Sequence, residues 1–418
     1  MKQLKPPNAS ELATVPRTHR VIVISKDDHI GLWMVRSLGL NGLKVLSICT
    51  TPKGLAAHSR YSTGVWTAQT DPPSKEFVEQ VKQLALRFDV GSIMPLSEST
   101  HIALMQERDT LEPEIHLFSP PDDAFAKATD KAYMHNLCLQ IGVPVAKGMT
   151  LDKLMDEGGE TLLFPLVLRT RRQIEAHAGR RAPWGRIEYA HDLTKLQELF
   201  QLVNGYASNI IVNEYHPGVT DQAQVVMHHG EAFVCEFMAE THFPLAGGVS
   251  VQRVTLWRES LIRDSIRLLE SIGWEGVAGV QFHYDHQTDS YIFIEINPRF
   301  VGGLPTMVRA DFHGPFLLWQ SHFDPDSLKQ PSYRLCLRSR GFRPSLAWLR
   351  AMIWGDRLPP GKKRLNKLGA TARFLWNFGP WTKEDSFLLS DVGPFIAECR
   401  RFLKLPRLNR RPEGQTAE

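Results

Sequence analysis

The sequence predicts a mixed fold, an α/β part followed by an α+β part, and three observations predict it. Short apolar strands alternate with helices along residues 21–124, which is typical of a parallel sheet covered by helices. From Asp130 onward the order of elements becomes less regular, and residues 276–296 have the pattern of a hairpin around a polar turn. After residue 330 the chain is rich in Trp and Arg, which indicates a helical extension.

The amino-terminal part is predicted to be a Rossmann-like domain, residues 21–124, behind a flexible leader, residues 1–20. The leader is polar and lacks the apolar core of a signal peptide. In a parallel sheet, ligands bind at the carboxyl ends of the strands. Four polar residues follow strands 21–24 and 92–95 and are either substrate contacts or ordinary loop residues: Asp27, Asp28, Ser97 and Glu98.

The middle of the chain, residues 125–330, is predicted to form a second unit. Amphipathic periodicity predicts helices at 131–141, 193–202 and 259–272. Apolar runs predict strands at 166–169, 210–215, 223–227 and 232–239, before a hairpin of 276–284 and 291–296.

Charge is distributed unevenly along the 418 residues. The net charge is +4, but residues 331–418 contain 18 Lys and Arg against 7 Asp and Glu, so they carry +11 and the first 330 residues carry −7. Such an extension is either a solvated basic face, which we favour, or a surface for an anionic partner. A helix at 394–404 would align Phe395, Cys399 and Phe402 near basic residues that include Lys404. We expect it to dock on the body rather than on a membrane, and we expect no nucleic-acid partner.

Five cysteines lie far apart without a CxxC pair. This excludes a disulfide framework and a cysteine zinc site, and it favours a reducing compartment. No apolar run approaches the length of a membrane-spanning helix. The sequence therefore predicts a cytoplasmic protein.

The strongest chemical signal is the segment 294–299, which reads Ile-Glu-Ile-Asn-Pro-Arg. Because side chains alternate along a strand, Glu295 and Asn297 point to the same face, and the partner strand adds Gln281. Burying such polar groups is costly without a ligand, and oxygen donors with few carboxylates suit Mg²⁺ bound to phosphates. The alternative is a solvent-facing polar stripe. Arg299, projected beyond Pro298, could clamp a transferring phosphoryl group.

These residues resemble the metal-binding hairpin of ATP-grasp enzymes, and Gln281 is similar to the glutamine of the carbamoyl-phosphate synthetases within that superfamily. The resemblance covers residues 21–318. Further blocks occur in the order that it implies: Asp130-Lys131 before a helix and Gly-Val-Pro at 142–144, Phe-Pro-Leu-Val-Leu-Arg at 164–169, and Asn-Glu-Tyr-His-Pro-Gly at 213–218. It implies a Rossmann-like domain, a small α+β lid at about residues 145–212, an antiparallel α+β nucleotide domain and a helical extension specific to a subfamily.

The resemblance also implies roles for single residues. Lys131 and Arg169 would contact the phosphates of ATP, where a guanidinium fork pairs well with phosphate oxygens. Lys131, Arg169 and Arg299 would be the catalytic residues. The implied adenine contacts are Glu214 and the backbone of Tyr215 and His216, and the implied ribose contact is Asp221. Without the surrounding order of blocks, each would be an ordinary surface or strand-end residue.

One departure concerns the loop that covers the phosphates, which is glycine-rich in the family. Here residues 176–185 offer only Gly179 and Gly185, and Arg180 and Arg181 would have to replace backbone donors. Alternatively, turnover is slow. Gly302 and Gly303, together with Glu98, are expected near the substrate, although a plain tight turn explains the glycines nearly as well.

The resemblance implies a ligase that uses ATP and Mg²⁺, which Mn²⁺ could replace, to join a small-molecule carboxylate to an amine. Two alternatives stay open. One is formation of a carboxy- or carbamoyl-phosphate without amide ligation, and the other is a nucleotide-binding module without turnover that works through its basic tail. A homo-oligomer is possible.

Overall fold

The computed structural model describes residues 1–7, 9–25, 29–51, 54–70, 74–111, 115–157, 161–172, 187–203 and 205–403. Some predicted features lie outside these ranges: Asp27, Asp28, the glycine-poor loop 176–185 with Arg180 and Arg181, and Lys404.

The first domain is a six-stranded sheet with the order β1-β4-β3-β2-β5-β6, parallel except at β1. Its strands are β1 (Lys2–Lys5), β2 (Arg20–Ser25), β3 (Lys44–Cys49), β4 (Ser62–Thr67), β5 (Ser92–Pro95) and β6 (His116–Leu117). Its helices are α1 (Ala9–Ala13), α2 (His29–Leu40), α3 (Lys75–Arg87), α4 (Glu98–Gln106) and α5 (Asp122–Thr129). Alternate residues of β2 join two different cores, Val21 and Val23 one and Ile22 and Ile24 the other, so the sheet is buried on both faces.

The predicted flexible leader is wrong, because residues 2–5 form edge strand β1, which pairs antiparallel with β4. The Lys5 ammonium donates to the carbonyl of Ser62, and Glu11 of α1 pairs with Lys44 at 2.8 Å. All four residues of β1 are exposed. The strand therefore lacks the apolar alternation that identifies a half-buried strand in a sequence.

The lid is a four-stranded antiparallel sheet with the order β7-β10-β8-β9, preceded by helix α6 (Lys131–Ile141). Its elements are β7 (Gly148–Thr150), α7 (Leu151–Asp156), β8 (Leu166–Thr170), β9 (Glu188–Ala190), α8 (Leu193–Val203) and β10 (Ile210–Glu214). Leucines from both helices and from β8 close a separate small core, which makes the lid a unit of its own.

The remainder is built on a seven-stranded sheet with the order β15-β14-β11-β12-β13-β16-β17. Its first five strands in chain order are β11 (Val219–His228), β12 (Glu231–Phe243), β13 (Val249–Leu256), β14 (Gly276–Asp285) and β15 (Ser290–Asn297), all antiparallel to their neighbours. The helices are α9 (Glu259–Ser271), between β13 and β14, followed by α10 (Leu304–Arg309) and α11 (Gly314–Phe323).

The extension is more than the predicted helical appendage, because two of its strands complete this sheet. They are β16 (Arg338–Arg340), which pairs antiparallel with β13, and β17 (Thr382–Glu384), which pairs parallel with β16. The helices are α12 (Phe342–Trp354), α13 (Lys367–Trp376) and α14 (Gly393–Leu403). Each of these two strands is only three residues long, and all of these residues are polar or charged. Such a segment is too short to show the alternation of apolar and polar residues that identifies a strand.

Helix α14 packs on the first domain, where Glu398 forms an ion pair with His29 at 3.3 Å. Its buried residues are Pro394, Ala397 and Glu398, while Phe395, Cys399 and Phe402 are half-buried, so the contact face is rotated from the predicted one.

A shared core joins the domains. It contains Val21 of β2, Phe237 of β12 and Phe300 at the carboxyl end of the hairpin. Within the described ranges, no helix combines the length and the apolar character needed to cross a membrane. The hairpin thus lies where the first domain, the lid and the large sheet meet.

Candidate active site

A β-bulge in the hairpin sets the direction of its polar side chains. Gln281 pairs with Glu295 and Phe282 pairs with Phe293, so Ile294 is the extra residue on β15. Phe293 packs in the core below the sheet, and after the bulge Glu295 turns to the opposite face beside Gln281. Bulges commonly re-aim side chains in this way next to functional sites. Asn297, two residues on, joins the same face.

The row of polar side chains on this face continues onto β11, and this continuation was not predicted from the sequence. The Gln222 amide donates to Gln281 Oε1 at 2.7 Å, and the two residues are paired across the strands. Two residues further along β11, the Gln224 side chain accepts from the amide of Val301 and donates to the carbonyl of Ala278. Gln222 and Gln224 recur with period two beside the apolar residues of β11, a pattern that could have revealed the row.

Lys131 at the start of α6 reaches the hairpin directly. Its ammonium lies 3.1 Å from the Glu295 carboxylate, and the two side chains are 9% and 19% exposed. Burial alone would raise the pKa of Glu295, but the positive charges of Lys131, Arg169 and Arg299 outweigh burial and hold it below its usual value. Glu295 is therefore an anion in a cluster of cations.

The position of Lys131 depends on its neighbour Asp130, which caps α6. The Asp130 carboxylate accepts from the amides of Ala132 and Tyr133 and from the guanidinium groups of Arg171 and Arg172. Although burial opposes ionisation, these arginines lower the pKa of Asp130 to about 2. A permanently charged cap anchors the first turn of the helix and so orients Lys131.

Arg169 links the lid to the bulge. From β8 its guanidinium donates to Asn213 Oδ1 on β10 at 3.0 Å and to the carbonyl of bulge residue Ile294 at 3.4 Å. Its Nε is buried and has no acceptor among the described residues. A buried donor without an acceptor is costly, so this nitrogen is suited to an anionic ligand.

Arg299 and Glu98 both lie close to the predicted metal residue Asn297. The Arg299 guanidinium donates to Asn297 Oδ1 and to the carbonyl of Phe300, both at 3.2 Å. Glu98, the first residue of α4, follows the carboxyl end of β5 and lines the same narrow cleft as Lys131, Glu295 and Asn297. Glu98, which the sequence predicts to lie near the substrate, thus lies beside the predicted metal residues.

The segment predicted to contact adenine follows β10. Glu214 Oε1 accepts from the amide of Leu163 at 3.0 Å, and the amide of Tyr215 donates to the carbonyl of Pro165 at 2.9 Å. His216 Nε2 lies 3.5 Å from the hydroxyl of Ser290 in the hairpin. The amide of Tyr215 is thus engaged within the protein, and the segment's carbonyl groups are better candidates for contacting a base.

Asp221 does not join this group. It is fully buried on the face of β11 opposite Gln222, where its carboxylate pairs with Arg258, the residue that precedes α9. Burial and the neighbouring Glu236 raise its pKa despite Arg258. In this arrangement Asp221 contributes to the core, which differs from the ribose contact that the resemblance implies.

The two glycines after the hairpin have different surroundings. A Cβ on Gly303 would lie 2.3 Å from the ring of Phe237, so packing alone requires glycine there. A Cβ on Gly302 would approach the hydroxyl of Ser250 at 3.3 Å, and the Gly302 carbonyl accepts from Arg253 at 2.6 Å. Gly303 therefore needs no substrate to explain it.

A Rossmann-like sheet, an antiparallel lid and a large antiparallel sheet with a cation-rich hairpin at their junction define one class of protein. The chain has the ATP-grasp fold that the sequence predicts.

Comparisons with known proteins agree with this class. The model for "Carbamoyl-phosphate synthase L chain, ATP binding domain" matches residues 254–304, which include the hairpin. An ADP complex of N5-carboxyaminoimidazole ribonucleotide synthetase superposes with a TM-score of 0.60 at 12% identity, covering 90% of this chain and 99% of that one. Biotin carboxylase from Campylobacter jejuni, in an ATP complex, gives 0.57 at 15% identity over 76% and 74% of the two chains. N5-carboxyaminoimidazole synthetase from Staphylococcus aureus gives 0.56 at 17% over 76% and 80%. At these identities the likeness concerns the fold.

Proposed function

We propose that the protein is an ADP-forming ligase that uses ATP and Mg²⁺ to activate a carboxylate as an acyl phosphate, which an amine then attacks. One observation carries the proposal: Glu295 lies within a cluster of Lys131, Arg169 and Arg299, and the buried Nε of Arg169 has no acceptor among the residues that the structure describes. Three positively charged side chains surround one carboxylate, so positive charge is in excess. Phosphate oxygens are suited to pair with the excess cations.

The oxygen donors fit a hard divalent cation. Gln281, Glu295 and Asn297 present two amide oxygens and one carboxylate on one face of the hairpin. That set suits Mg²⁺, which commonly takes one or two carboxylates together with phosphate oxygens, and Mn²⁺ could replace it. When bound, the ion would neutralise phosphate charge and align the phosphates. Lys131 would then turn from Glu295 toward a phosphate.

The remaining side chains bind and orient the nucleotide. Lys131 and Arg169 would hold the phosphates, with Arg169 already tied to the lid through Asn213. Arg299 would stabilise the phosphoryl group in transfer, a role that is electrostatic and positional. The base would lie at Glu214, Tyr215 and His216.

The reaction has two steps. A carboxylate oxygen attacks the γ-phosphorus, the bond to ADP breaks, and an acyl phosphate forms. An amine then attacks the acyl carbon, inorganic phosphate leaves, and the amine's proton departs with it or with water. Glu98 lines the cleft from which these substrates would approach.

A second candidate is phosphorylation of bicarbonate, without amide ligation. The specific observation in its favour is Gln281 within the region that matches the carbamoyl-phosphate synthase model. One solved neighbour is a biotin carboxylase domain bound to bicarbonate. Both candidates use the same phosphate residues and differ only in the acceptor.

ADP release separates these candidates. The full chain with ATP and Mg²⁺ would be assayed with pooled carboxylates, pooled amines, both pools, or bicarbonate alone. Fast release that needs both pools supports the ligase, and release with bicarbonate alone supports the second candidate. Baseline release in every arm contradicts both. The Arg87→Ala variant, exposed on α3, serves as a matched control for Arg299→Ala.

Nucleotide binding can be tested without knowing the substrates. A ligand that binds only the folded state at 100 times its Kd stabilises it by about 2.7 kcal/mol, so ADP should raise Tm. We expect this increase to require Mg²⁺. No metal-dependent change at millimolar nucleotide would contradict the proposal at its first step.

We also propose that the protein works in the cytoplasm, where ATP is abundant and thiols stay reduced. The cysteines Cys49, Cys138, Cys235, Cys336 and Cys399 are all free. The expected partners are small-molecule carboxylates and amines, with a homo-oligomer possible and no nucleic acid.

A further inference from the structure

A histidine-lined cavity of about 280 Å³ lies between the first domain and the large sheet, apart from the hairpin cleft. Five of the chain's 16 histidines line it: His101, His116, His228, His229 and His322. The presence of five histidines around one cavity suggests that they bind a ligand.

Three ligand-bearing side chains converge at one end of the cavity. One nitrogen each of His228 and His229 and a carboxylate oxygen of Glu275 all lie within 4.8 Å of one another. His229 and Gly230 have φ of 47° and 81° and connect β11 to β12 in a two-residue turn. Such turns are rigid, so the two imidazoles are held together by the backbone.

Glu275 is fixed beneath this turn. Both of its carboxylate oxygens accept from the amide of His229 at 3.2 Å. The carboxylate can keep one such bond and still offer a lone pair to a cation. The trio therefore needs only small side-chain movements to close around an ion.

Imidazole nitrogens are common ligands of transition metals, and a carboxylate oxygen is compatible with them. Elsewhere in the cavity, the His116 ring stacks on His322 at 3.5 Å between centroids.

We propose that His228, His229 and Glu275 bind a divalent transition cation such as Zn²⁺. Two imidazoles and a carboxylate suit zinc, whereas Mg²⁺ prefers oxygen ligands alone. The site is separate from the hairpin, because His228 lies six residues beyond Gln222 on the same strand, roughly 20 Å away. It would hold the β11–β12 turn against the segment that leads into β14.

Zinc titration of the metal-free full chain, without nucleotide, tests this. We expect one site of sub-micromolar Kd, insensitive to millimolar Mg²⁺, and at least about a ten-fold weaker Kd after His229→Gln or Glu275→Gln. His286→Gln removes an exposed histidine in the β14–β15 turn and should leave the Kd for zinc unchanged. Far-UV circular dichroism checks that each variant is folded. Absence of binding, or equal binding by all variants, overturns the proposal.

An independent observation concerns the extension, where helix α13 presents apolar side chains to solvent. Leu368, Leu375 and Trp376 are 81%, 62% and 66% exposed, and Ala372 between them is exposed too. The spacing puts all four on one face of the helix. Trp381 lies against Trp376, with 4.5 Å between the ring centroids.

The surroundings of this stripe are basic. Residues 343–373 contain eight Lys and Arg and one Asp, and Lys362, Lys363 and Lys367 are exposed beside the start of α13. A second copy docked by two-fold symmetry would bring like charges together, which is unfavourable. An exposed apolar stripe with Trp and flanking Lys instead has the composition of a helix that lies on an anionic bilayer.

We infer that the stripe of Leu368, Leu375, Trp376 and Trp381, with its flanking lysines, binds anionic lipid bilayers. The docking of α14 on the body is compatible with this, because α13 is a different helix.

Sedimentation with phosphatidylcholine vesicles, with and without phosphatidylserine, tests the inference. Binding should require the anionic lipid, weaken with salt, and fall at least about ten-fold in both Leu375→Glu and the pair Lys362→Gln with Lys363→Gln. Leu139→Glu, at a residue 62% exposed on α6, is the matched control. If the chain does not bind vesicles but self-associates, and Leu375→Glu abolishes that self-association, the stripe binds a second copy and the inference is overturned. If vesicle binding depends on the lysines but does not change in Leu375→Glu, the surface binds polyanions in general, which also overturns the inference.

Discussion

Charged side chains are buried both in the hairpin cleft and where the extension meets the first domain, but they are satisfied differently. In the cleft, Glu295 faces three cations, and the Arg169 Nε has no acceptor within the described part of the chain. At the extension, fully buried Arg36 donates to Asp391 and to the carbonyls of Asp385 and Ser386. A closed network, in which each charged group has its partners, links two parts of the fold. A buried donor without an acceptor, in a region of excess positive charge, instead indicates a ligand.

This difference predicts which residues affect turnover and which affect folding. Replacing a cleft residue should change catalysis or metal dependence with little loss of stability. Replacing a member of the closed network should lower stability and leave the intrinsic chemistry unchanged.

Arg299→Ala should lose on the order of 10³–10⁵ in turnover while nucleotide affinity stays close to that of the unaltered protein. The reason is that a cation acting on the phosphoryl group in transfer contributes mainly in the transition state. Arg299→Lys should recover little, because an ammonium cannot reproduce the guanidinium fork. ADP release measured beside nucleotide affinity, once substrates are known, checks this. Full turnover in Arg299→Ala would make the hairpin structural.

Asp391→Ala should lower the free energy of unfolding by about 3–5 kcal/mol, since it leaves the Arg36 charge buried without its partner. Asp391 also accepts from the Ser59 hydroxyl and the Arg60 amide, so three contacts are lost together. Urea unfolding gives the value, with exposed Asp326→Ala as the control. Similar losses in the two variants would mean that the network does not link the extension to the first domain.

The ion pair between His29 and Glu398 should make stability fall at alkaline pH. Burial opposes the charged imidazole, but the acidic groups of Glu398, Asp385 and Glu384 prevail and raise the pKa of His29 to about 9 from 6.5. A raised pKa contributes stability that is complete below about 6.5 and is lost as pH rises through 9, at most about 3 kcal/mol by linkage. Unfolding free energies between pH 6 and 10 should fall less in His29→Gln than in the unaltered chain. Parallel curves would contradict the assignment.

Features that depend on local patterns could be predicted from the sequence. Glu295, Asn297 and Gln281 could be identified because polar residues with strand periodicity between apolar ones are informative without a structure. The limits of α6 were predicted at Lys131 and Ile141, where Asp130 caps the start and Gly142 ends the helix in a left-handed conformation.

Features set by pairing between distant segments could not be predicted. The bulge at Ile294 depends on the register with β14, and the burial of Asp221 depends on which face of β11 meets α9. The strand β13 was missed, and β16 has only three residues whose place is defined by that strand. The buried pairing of Arg36 spans 355 positions in the chain, so no local pattern announces it.

Glu295→Gln should change metal dependence more than stability and is the finest test of the difference between the two regions. The substitution keeps the shape of the side chain and removes the only carboxylate of the proposed metal set. Because Mg²⁺ prefers carboxylate to amide oxygen, half-saturation should need about 10–100-fold more Mg²⁺, with turnover mostly lost at ordinary concentrations.

The stability of the Glu295→Gln variant should depend on pH differently from that of the unaltered chain. The pKa of Glu295 is held below its usual value, so its charge contributes stability that is present above the unfolded pKa and is lost as pH falls through the folded one. In Glu295→Gln that acid-side loss should disappear. The cluster of Lys131, Arg169 and Arg299 would then lack its counter-charge, and ADP with Mg²⁺ should raise Tm by less than in the unaltered chain. Unchanged Mg²⁺ dependence together with a large drop in Tm would reverse the conclusion and make Glu295 a structural partner of Lys131, like Asp391 with Arg36.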